Sequence, residues 1–499
     1  MGHLEILLGG GLRHRDAAVG RRPLVPRVPR PEIGQGVAPP AAGMEGGGKS
    51  PPGGQRREDP VGSEAGRFLL PGGTAPADDR RGDRASGPMT AGPAGIRAAS
   101  LLHPREPVRV LFVSHDAGMW GAQRTLLALL SGIDRSVCSP LLILPHDGPM
   151  RRRAEELRIP VFETPLVHWI PVSAGMSARR RVRHLSRFLK TLRSRCGAIE
   201  RLIADHGIDL VYTNTVTCAE GAIAARNTRI PHVWHIHEHL AGNRELAPLF
   251  PRRAYCAAVG SLSKSVVFCS RSLARAYPQL ARKASVVHNG LAVPPVRDRD
   301  AARAEANRKL DLDPGAKLVA AAGALHPGKD YLTLLDAAQQ VALSGAETVF
   351  LIAGAGSESY TGMLRERIEE LRLGSRVRLL GWRDDLQDLL AAVDVLVISS
   401  VQESFGLTAI EALAAETPVV STRCGGPEEI LENGSAGLLV PVKDPMAMAD
   451  AIVRLLRDPE LRRRMGERGR ARVIEHFGVD RYVRELQRVI LGTAAPSGE

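Results

Sequence analysis

Short runs of apolar, largely β-branched residues recur twelve times between residues 108 and 441, each followed by a loop and a helical period. The first six are residues 108–114, 140–144, 209–214, 232–237, 265–270 and 285–289. The second six are 317–323, 349–354, 377–382, 394–400, 418–422 and 437–441. Runs apolar on both faces, separated by helices, belong to parallel sheets covered on both sides. The series breaks once, at LAVPPVRDRD (291–300). The expected fold class is therefore α/β, with two doubly wound, Rossmann-like domains facing one another. The expected divisions are a tail at 1–105, one domain at 106–293, a second at 294–475, and a C-terminal helix at 476–499 packing back toward the first. Open α/β sheets bind ligands beyond the carboxyl ends of their strands, so the ligand is expected in the interdomain cleft.

Residues 1–105 depart from this pattern. Stretches such as RRPLVPRVPRPEIGQGVAPPAAGMEGGGKSPPGGQRR are rich in Gly, Pro and Arg without strand or helix period. They are expected to be disordered; an alternative is that translation starts downstream, near Met89. The N-terminal stretch lacks the basic region and apolar core of a secretory signal. No apolar run approaches the ~18–20 residues that span a bilayer. Six cysteines without a CxxC pair argue against a disulfide framework or a zinc knuckle, and fit a reducing, cytoplasmic setting.

The net charge is +13, and residues 151–205 hold 13 Lys/Arg against 5 Asp/Glu. Within GMSARRRVRHLSRFLKTLRSRCGAIERLI (175–203), Val182, Leu185, Phe188, Leu189, Leu192, Ile199, Leu202 and Ile203 form an apolar stripe for docking on the sheet. Arg179, Arg180, Arg181, Arg183, Arg187, Lys190, Arg193 and Arg195 crowd the start and the other faces. That pattern is an ordinary packed helix with a solvated basic face, to which attraction for an anionic membrane surface can be added. Nucleic acid is not an expected partner, because aromatics are only 4% and no stacking module is present.

The segment DVLVISSVQESFGLTAIEALAAETPVVSTRCGG (394–426) carries the most chemistry. A buried strand ends in a small-residue loop bearing Glu403, and helical period begins near Leu407 with Glu411 one turn inside. Free N–H groups near Phe405, Gly406, Leu407 and Thr408 would crown a helix N-terminus, an anion site. Taken alone, each glutamate fits a cap neighbour or an exposed helix charge. Together they flank an anion site with carboxylates, which suits a ligand offering hydroxyls on both sides of a phosphate, as a nucleotide sugar does.

ESFGLTAIE resembles the E-x7-E motif of glycosyltransferase family 4, whose members have the two-domain GT-B fold. The likeness covers roughly residues 108–490. GAQRTLLALL resembles the family's first glycine loop, HNG (288–290) the strand end closing the first domain, GALHPGKDYLTLLDAA (323–338) the phosphate loop opening the second, and GGPEEI (425–430) a later loop. The resemblance implies a retaining, metal-independent transferase moving a sugar from a UDP- or GDP-type donor to a glycan or lipid-linked acceptor, in cell-surface polysaccharide or glycolipid synthesis. Its first domain would serve the acceptor and its second the nucleotide sugar, a co-substrate; no cofactor is implied. Glu403 would hold the donor sugar, Glu411 the ribose, and amides at Phe405, Gly406 and Leu407 the donor oxygens. Lys329 would neutralise the pyrophosphate, and Gly121 would let the first-domain loop approach. The family usually has arginine where this chain has Ala324; Arg383 or Arg423 is expected to substitute.

HVWHIHEH (232–239) carries four histidines. In an extended strand His235, His237 and His239 share a face, an arrangement that could hold a metal. By the resemblance, His237 instead points into the cleft as a catalytic residue, His235 flanks it, and Glu238 orients an imidazole. His232 and His239 are read as core or surface. Two rival readings remain open: a metal-dependent hydrolase built on HIHEH, and a nucleotide-sugar-binding protein that turns over weakly for want of the arginine at 324.

Overall fold

The computed structural model describes residues 106–171, 176–243 and 246–495; the 1–105 tail lies outside them. Seven parallel strands form the first sheet: β1 (Val108–Val113), β2 (Cys138–Leu144), β3 (Val161–Glu163), β4 (Leu210–Thr213), β5 (His232–Ile236), β6 (Ser265–Phe268) and β7 (Ala284–Val286). Their order is β3-β2-β1-β4-β5-β6-β7. Six more form the second: β8 (Lys317–Ala322), β9 (Thr348–Ala353), β10 (Val377–Gly381), β11 (Val395–Ile398), β12 (Val419–Thr422) and β13 (Leu438–Val440), ordered β10-β9-β8-β11-β12-β13.

All twelve apolar runs are strands, because each central strand is buried on both faces: Val110–Val113 and Val395–Leu396 are fully inaccessible. β3 has no counterpart in the sequence reading. It is a three-residue edge strand, half exposed, and too short to show a period.

The topology places the functional loops. In each sheet the chain winds outward one way and then returns to the centre to wind the other way. The reversal lies between β1 and β4 in the first sheet and between β8 and β11 in the second. Helices diverge at such a point and leave a crevice beyond the strand ends. The loops leaving these four strands begin at Ser114, Asn214, Gly323 and Ser399.

The chain crosses between the sheets twice, and the crossings lie side by side. Leu291 N donates to Phe477 O at 2.8 Å, and Val479 N donates to Leu291 O at 3.0 Å. Beyond the second crossing, the helix Val479–Ala494 packs Tyr482, Val483, Leu486 and Ile490 against Val110, Phe112, Leu126 and Leu129 of the first sheet's layer. Leu486 and Ile490 are fully buried, worth ~1.5–3 kcal/mol each. Gly290 is required at the crossing: a Cβ there would stand 2.5 Å from Tyr482 Cβ.

The basic segment forms the helix Ala178–Asp205, 28 residues long. Its apolar stripe differs from expectation. Phe188, Ile199 and Ile203 are buried, but Val182 is 68% and Leu189 58% exposed. At 1.5 Å per residue the helix is ~42 Å long, whereas four-residue β4 spans ~13 Å. The N-terminal half therefore overhangs the sheet. Arg195, expected on the solvated basic face, is buried; its Nε donates to fully buried Glu220 at 2.8 Å. Arg179, Arg180, Arg181, Arg183, Arg187 and Lys190 are all exposed.

Candidate active site

Glu403 is held by backbone. The loop after β11 pairs with the loop after β12: Glu403 N donates to Cys424 O at 2.8 Å, and Gly426 N donates to Glu403 O at 2.9 Å. A Cβ at Gly426 would come within 2.3 Å of Phe405, so glycine is needed for the two loops to close. The loop after β8 is stitched alongside. Val401 N donates to Gly328 O at 3.0 Å, and Ser399 Oγ donates to Lys329 O at 2.7 Å. These bonds bring Lys329 Nζ onto Glu403 Oε2 as an ion pair.

The helix Leu407–Ala414 starts beside that pair. Its cap, Gly406, has φ +101°, a left-handed conformation that glycine adopts without strain. The N–H groups of Gly406, Leu407 and Thr408 donate to no protein group among the described residues. They carry the partial positive charge of a helix start. One turn in, Glu411 is 1% exposed; its Oε1 accepts from Arg124 of the first domain, and its Oε2 has no partner among the described residues. Gly121 opens the helix Gly121–Gly132 opposite, where a Cβ would stand 3.3 Å from Leu407 Cδ1. Two helix N-termini thus face one another across the cleft.

Elsewhere the two layers interlock. Glu429 accepts from Arg271 N at 3.0 Å and Ser272 N at 2.6 Å, and lies 2.9 Å from His288 Nε2. Burial alone would raise its pKa, but those bonds outweigh it and hold the carboxyl below its ordinary range. Ser270 Oγ donates to Ser404 O at 2.6 Å. At the rim, Trp120 and Trp382 meet edge to face at 5.8 Å.

His237 follows β5 into the cleft. Its Nε2 lies 3.0 Å from Asn214 Oδ1, and Asn214 Nδ2 donates to Ala122 O at 2.8 Å. The second contact fixes the Asn214 amide with its oxygen toward His237, so Nε2 carries the proton and Nδ1 is left as the acceptor. Burial lowers the His237 pKa to about 4; nearby Glu238 raises it and His115 lowers it further. The ring is neutral at pH 7. His115 and His168 are likewise pushed down to about 4, chiefly by burial, with their rings edge to face at 5.6 Å. They extend a neutral histidine wall along the first-domain side.

Several site expectations change with the structure. Glu238 orients no imidazole. Its carboxylate accepts from Thr215 Oγ1 at 2.6 Å, Val216 N at 3.0 Å and His237 N at 3.1 Å, and so shapes the loop. His235 does flank His237, with ring centroids 4.0 Å apart, but it is fully buried behind it and bonded to Tyr212 OH at 2.6 Å. Neither arginine expected to replace the one missing at 324 is free. Arg383 is clamped on Asp385 at 2.7 and 2.5 Å. Arg423 is half exposed and 3.7 Å from Glu428. Among the described residues no three His, Cys, Asp or Glu side chains converge as metal ligands.

The sequence reading missed Arg124, His115, His168 and Glu429, and it placed His239 outside the site. His239 is buried, neither ring nitrogen has a partner among the described residues, and it lies near enough to feel the Glu403 charge. Arg124 lay inside the quoted GAQR loop, where its spacing marks it only as a helix residue.

Comparison with known proteins agrees with this architecture. A family model described as "Glycosyl transferases group 1" matches residues 302–472, and one described as "Glycosyl transferase 4-like domain" matches residues 120–290. N-acetyl-alpha-D-glucosaminyl L-malate synthase of Bacillus anthracis is 37% identical over 28% of this chain and 36% of its own length. Lipopolysaccharide core biosynthesis glycosyltransferase LpsE of Rhizobium meliloti is 38% identical over 34% of this chain and 48% of its own length. The match thus spans less than half of either relative. The Anabaena protein HepE, solved with UDP-glucose, superposes with a TM-score of 0.65 at 23% identity, covering 77% of this chain and 99% of that one. The two family models match the chain in order, one over β2 to β7 and the other over β8 to β13, and the chain belongs to the family 4-type glycosyltransferases of the GT-B fold.

Proposed function

We propose that the chain is a retaining glycosyltransferase that uses a nucleoside-diphosphate sugar without a catalytic metal. One observation carries the reading: Lys329 and Glu403 are paired beside a helix N-terminus whose first amides meet no protein acceptor among the described residues, with buried Glu411 one turn further in. A nucleotide sugar matches each part of that arrangement. Its sugar hydroxyls suit Glu403, its diphosphate suits Lys329 and the Gly406–Thr408 amides, and its ribose suits Glu411. In water-poor surroundings such preorganised donors stabilise a departing diphosphate. His237 lies on the acceptor side, neutral, with Nδ1 able to accept a hydrogen bond from a hydroxyl. The two carboxylates of this arrangement are both engaged, Glu403 by Lys329 and Glu411 by Arg124. Attack from the face that the diphosphate leaves, with retention of configuration, is the mechanism these groups favour.

The acceptor in this reading is a glycan or lipid-linked saccharide, and the protein is cytoplasmic. No helix of the described residues is long and apolar enough to cross a membrane. The overhanging half of Ala178–Asp205, with exposed Val182 and Leu189 among six basic side chains, suits an anionic membrane surface. The alternative of a binding protein with weak turnover draws on Ala324 and on the engagement of Arg383 and Arg423.

The test is donor hydrolysis and transfer with UDP-glucose, UDP-N-acetylglucosamine and GDP-mannose, with and without EDTA. EDTA-resistant sugar release with one donor supports the proposal. Tight binding with no release supports the binding-protein alternative, and EDTA-abolished activity restored by zinc refutes the metal-free mechanism.

A further inference from the structure

The cleft lacks a cation at 324, and the two arginines nearest in sequence logic are tied to acids of their own. A guanidinium faces the site from the other domain. Arg124 sits in the first turn of Gly121–Gly132, is 41% exposed, and donates to Glu411 Oε1. Glu411 itself is buried with Oε2 unpartnered among the described residues. A buried carboxylate with one oxygen unsatisfied is costly. It is complete only when further donors arrive, and a vicinal diol brings two O–H groups to a carboxylate in a single ligand.

Resting on the donor reading above, we propose that Arg124 is this chain's second diphosphate cation, supplied by the first domain and held on Glu411 until the ribose displaces it. The ribose hydroxyls take both Glu411 oxygens. The released guanidinium then has the diphosphate, lying at the Gly406–Thr408 amides, as its nearest anion. A planar guanidinium suits two phosphate oxygens better than an ammonium would. Because Arg124 rides on the first domain and Glu411 on the second, the cation stays in reach only while Gly121 and Leu407 face each other. Donor binding and domain closure therefore support one another. Ala324 leaves the second-domain side of the diphosphate for this incoming group.

The experiment is calorimetric titration of the whole chain with UDP, UMP and uridine, with GDP, GMP and guanosine run in parallel. The variants are Arg124→Gln, Arg124→Lys, and Arg124→Gln combined with Ala324→Arg. Arg124→Gln is expected to weaken the diphosphate at least 10-fold while leaving the bare nucleoside unchanged or tighter, since Glu411 is freed. Arg124→Lys, which keeps the charge and guards against a misfolded first variant, is expected to fall between. Adding Ala324→Arg is expected to recover most of the loss, and the salt dependence of diphosphate binding is expected to drop with Arg124→Gln. Tighter or unchanged diphosphate binding by Arg124→Gln would overturn the inference alone and make Arg124 a competitor of the ribose. Equal weakening of nucleoside and diphosphate would overturn it as well, since the loss would be structural. A wild-type chain that binds none of the six ligands would overturn the donor reading, and the inference with it.

Discussion

Acidification from pH 7 to pH 5 is expected to destabilise the first domain strongly. Four of its histidines, His115, His168, His232 and His237, are held neutral mainly by burial, with pKa values of about 4, 4, 3 and 4 against an ordinary 6.5. A histidine whose folded pKa lies below its unfolded value stabilises the fold above pH 6.5. That stability is lost as pH falls from 6.5 toward 4, because the unfolded chain takes up the proton and the folded one does not. At ~1.4 kcal/mol per pKa unit, each of the four loses about 1.8 kcal/mol between pH 7 and pH 5. Together they remove ~7 kcal/mol from a stability that is ordinarily ~5–15 kcal/mol. Glu429, depressed by its hydrogen bonds, adds its own loss only below the ordinary carboxylate range of 4.5. The assay is urea unfolding followed by tryptophan fluorescence at pH 7, 6 and 5 and constant ionic strength. Stacked Trp169 and Trp234 report on the first domain. The midpoint should fall steeply over this range, and His168→Gln should reduce the slope by about one proton. A midpoint independent of pH between 7 and 5 would refute the assignment of these rings as neutral and buried.

Three further expectations follow from individual contacts. Lys329→Met should weaken nucleoside-diphosphate binding by about 10–100-fold, the loss of one charge-assisted phosphate contact; equilibrium titration checks this, and unchanged affinity would count against the phosphate role. Arg195→Ala leaves Glu220 charged and unpaired at zero exposure and should cost ~3–5 kcal/mol, whereas Arg193→Ala on the exposed face of the same helix should cost under ~0.5 kcal/mol; chemical denaturation compares the two. Reversing Arg183, Arg187 and Lys190 to Glu should weaken binding to anionic vesicles at least ~100-fold, at ~1 kcal/mol per basic residue removed, with binding to neutral vesicles unaltered; sedimentation with liposomes reads both, and undiminished binding would sink the membrane surface.

How much of this was legible beforehand depends on the range of the interaction concerned. The twelve apolar strands, the break near residue 291 and the Glu403–Glu411 spacing could be read from residue order, because a short apolar run and an eight-residue offset are local properties. β3 could not, since three half-exposed edge residues have no period to detect. Overhang of the Ala178–Asp205 helix could not either. A helical stripe shows which side chains share a face, whereas the length of sheet beneath determines how many of them are covered, and so Val182 and Leu189 are exposed while Arg195 is buried on Glu220. The partners of charged groups were the least legible of all. Arg124 and Glu411 are 287 residues apart, and His288 and Glu429 are 141 apart. Sequence determined that this chain makes two parallel sheets and places two carboxylates around a helix start. Tertiary structure alone decided which cation faces which carboxylate, because Coulomb attraction depends on distance through space, and only the fold converts separation along the chain into that distance.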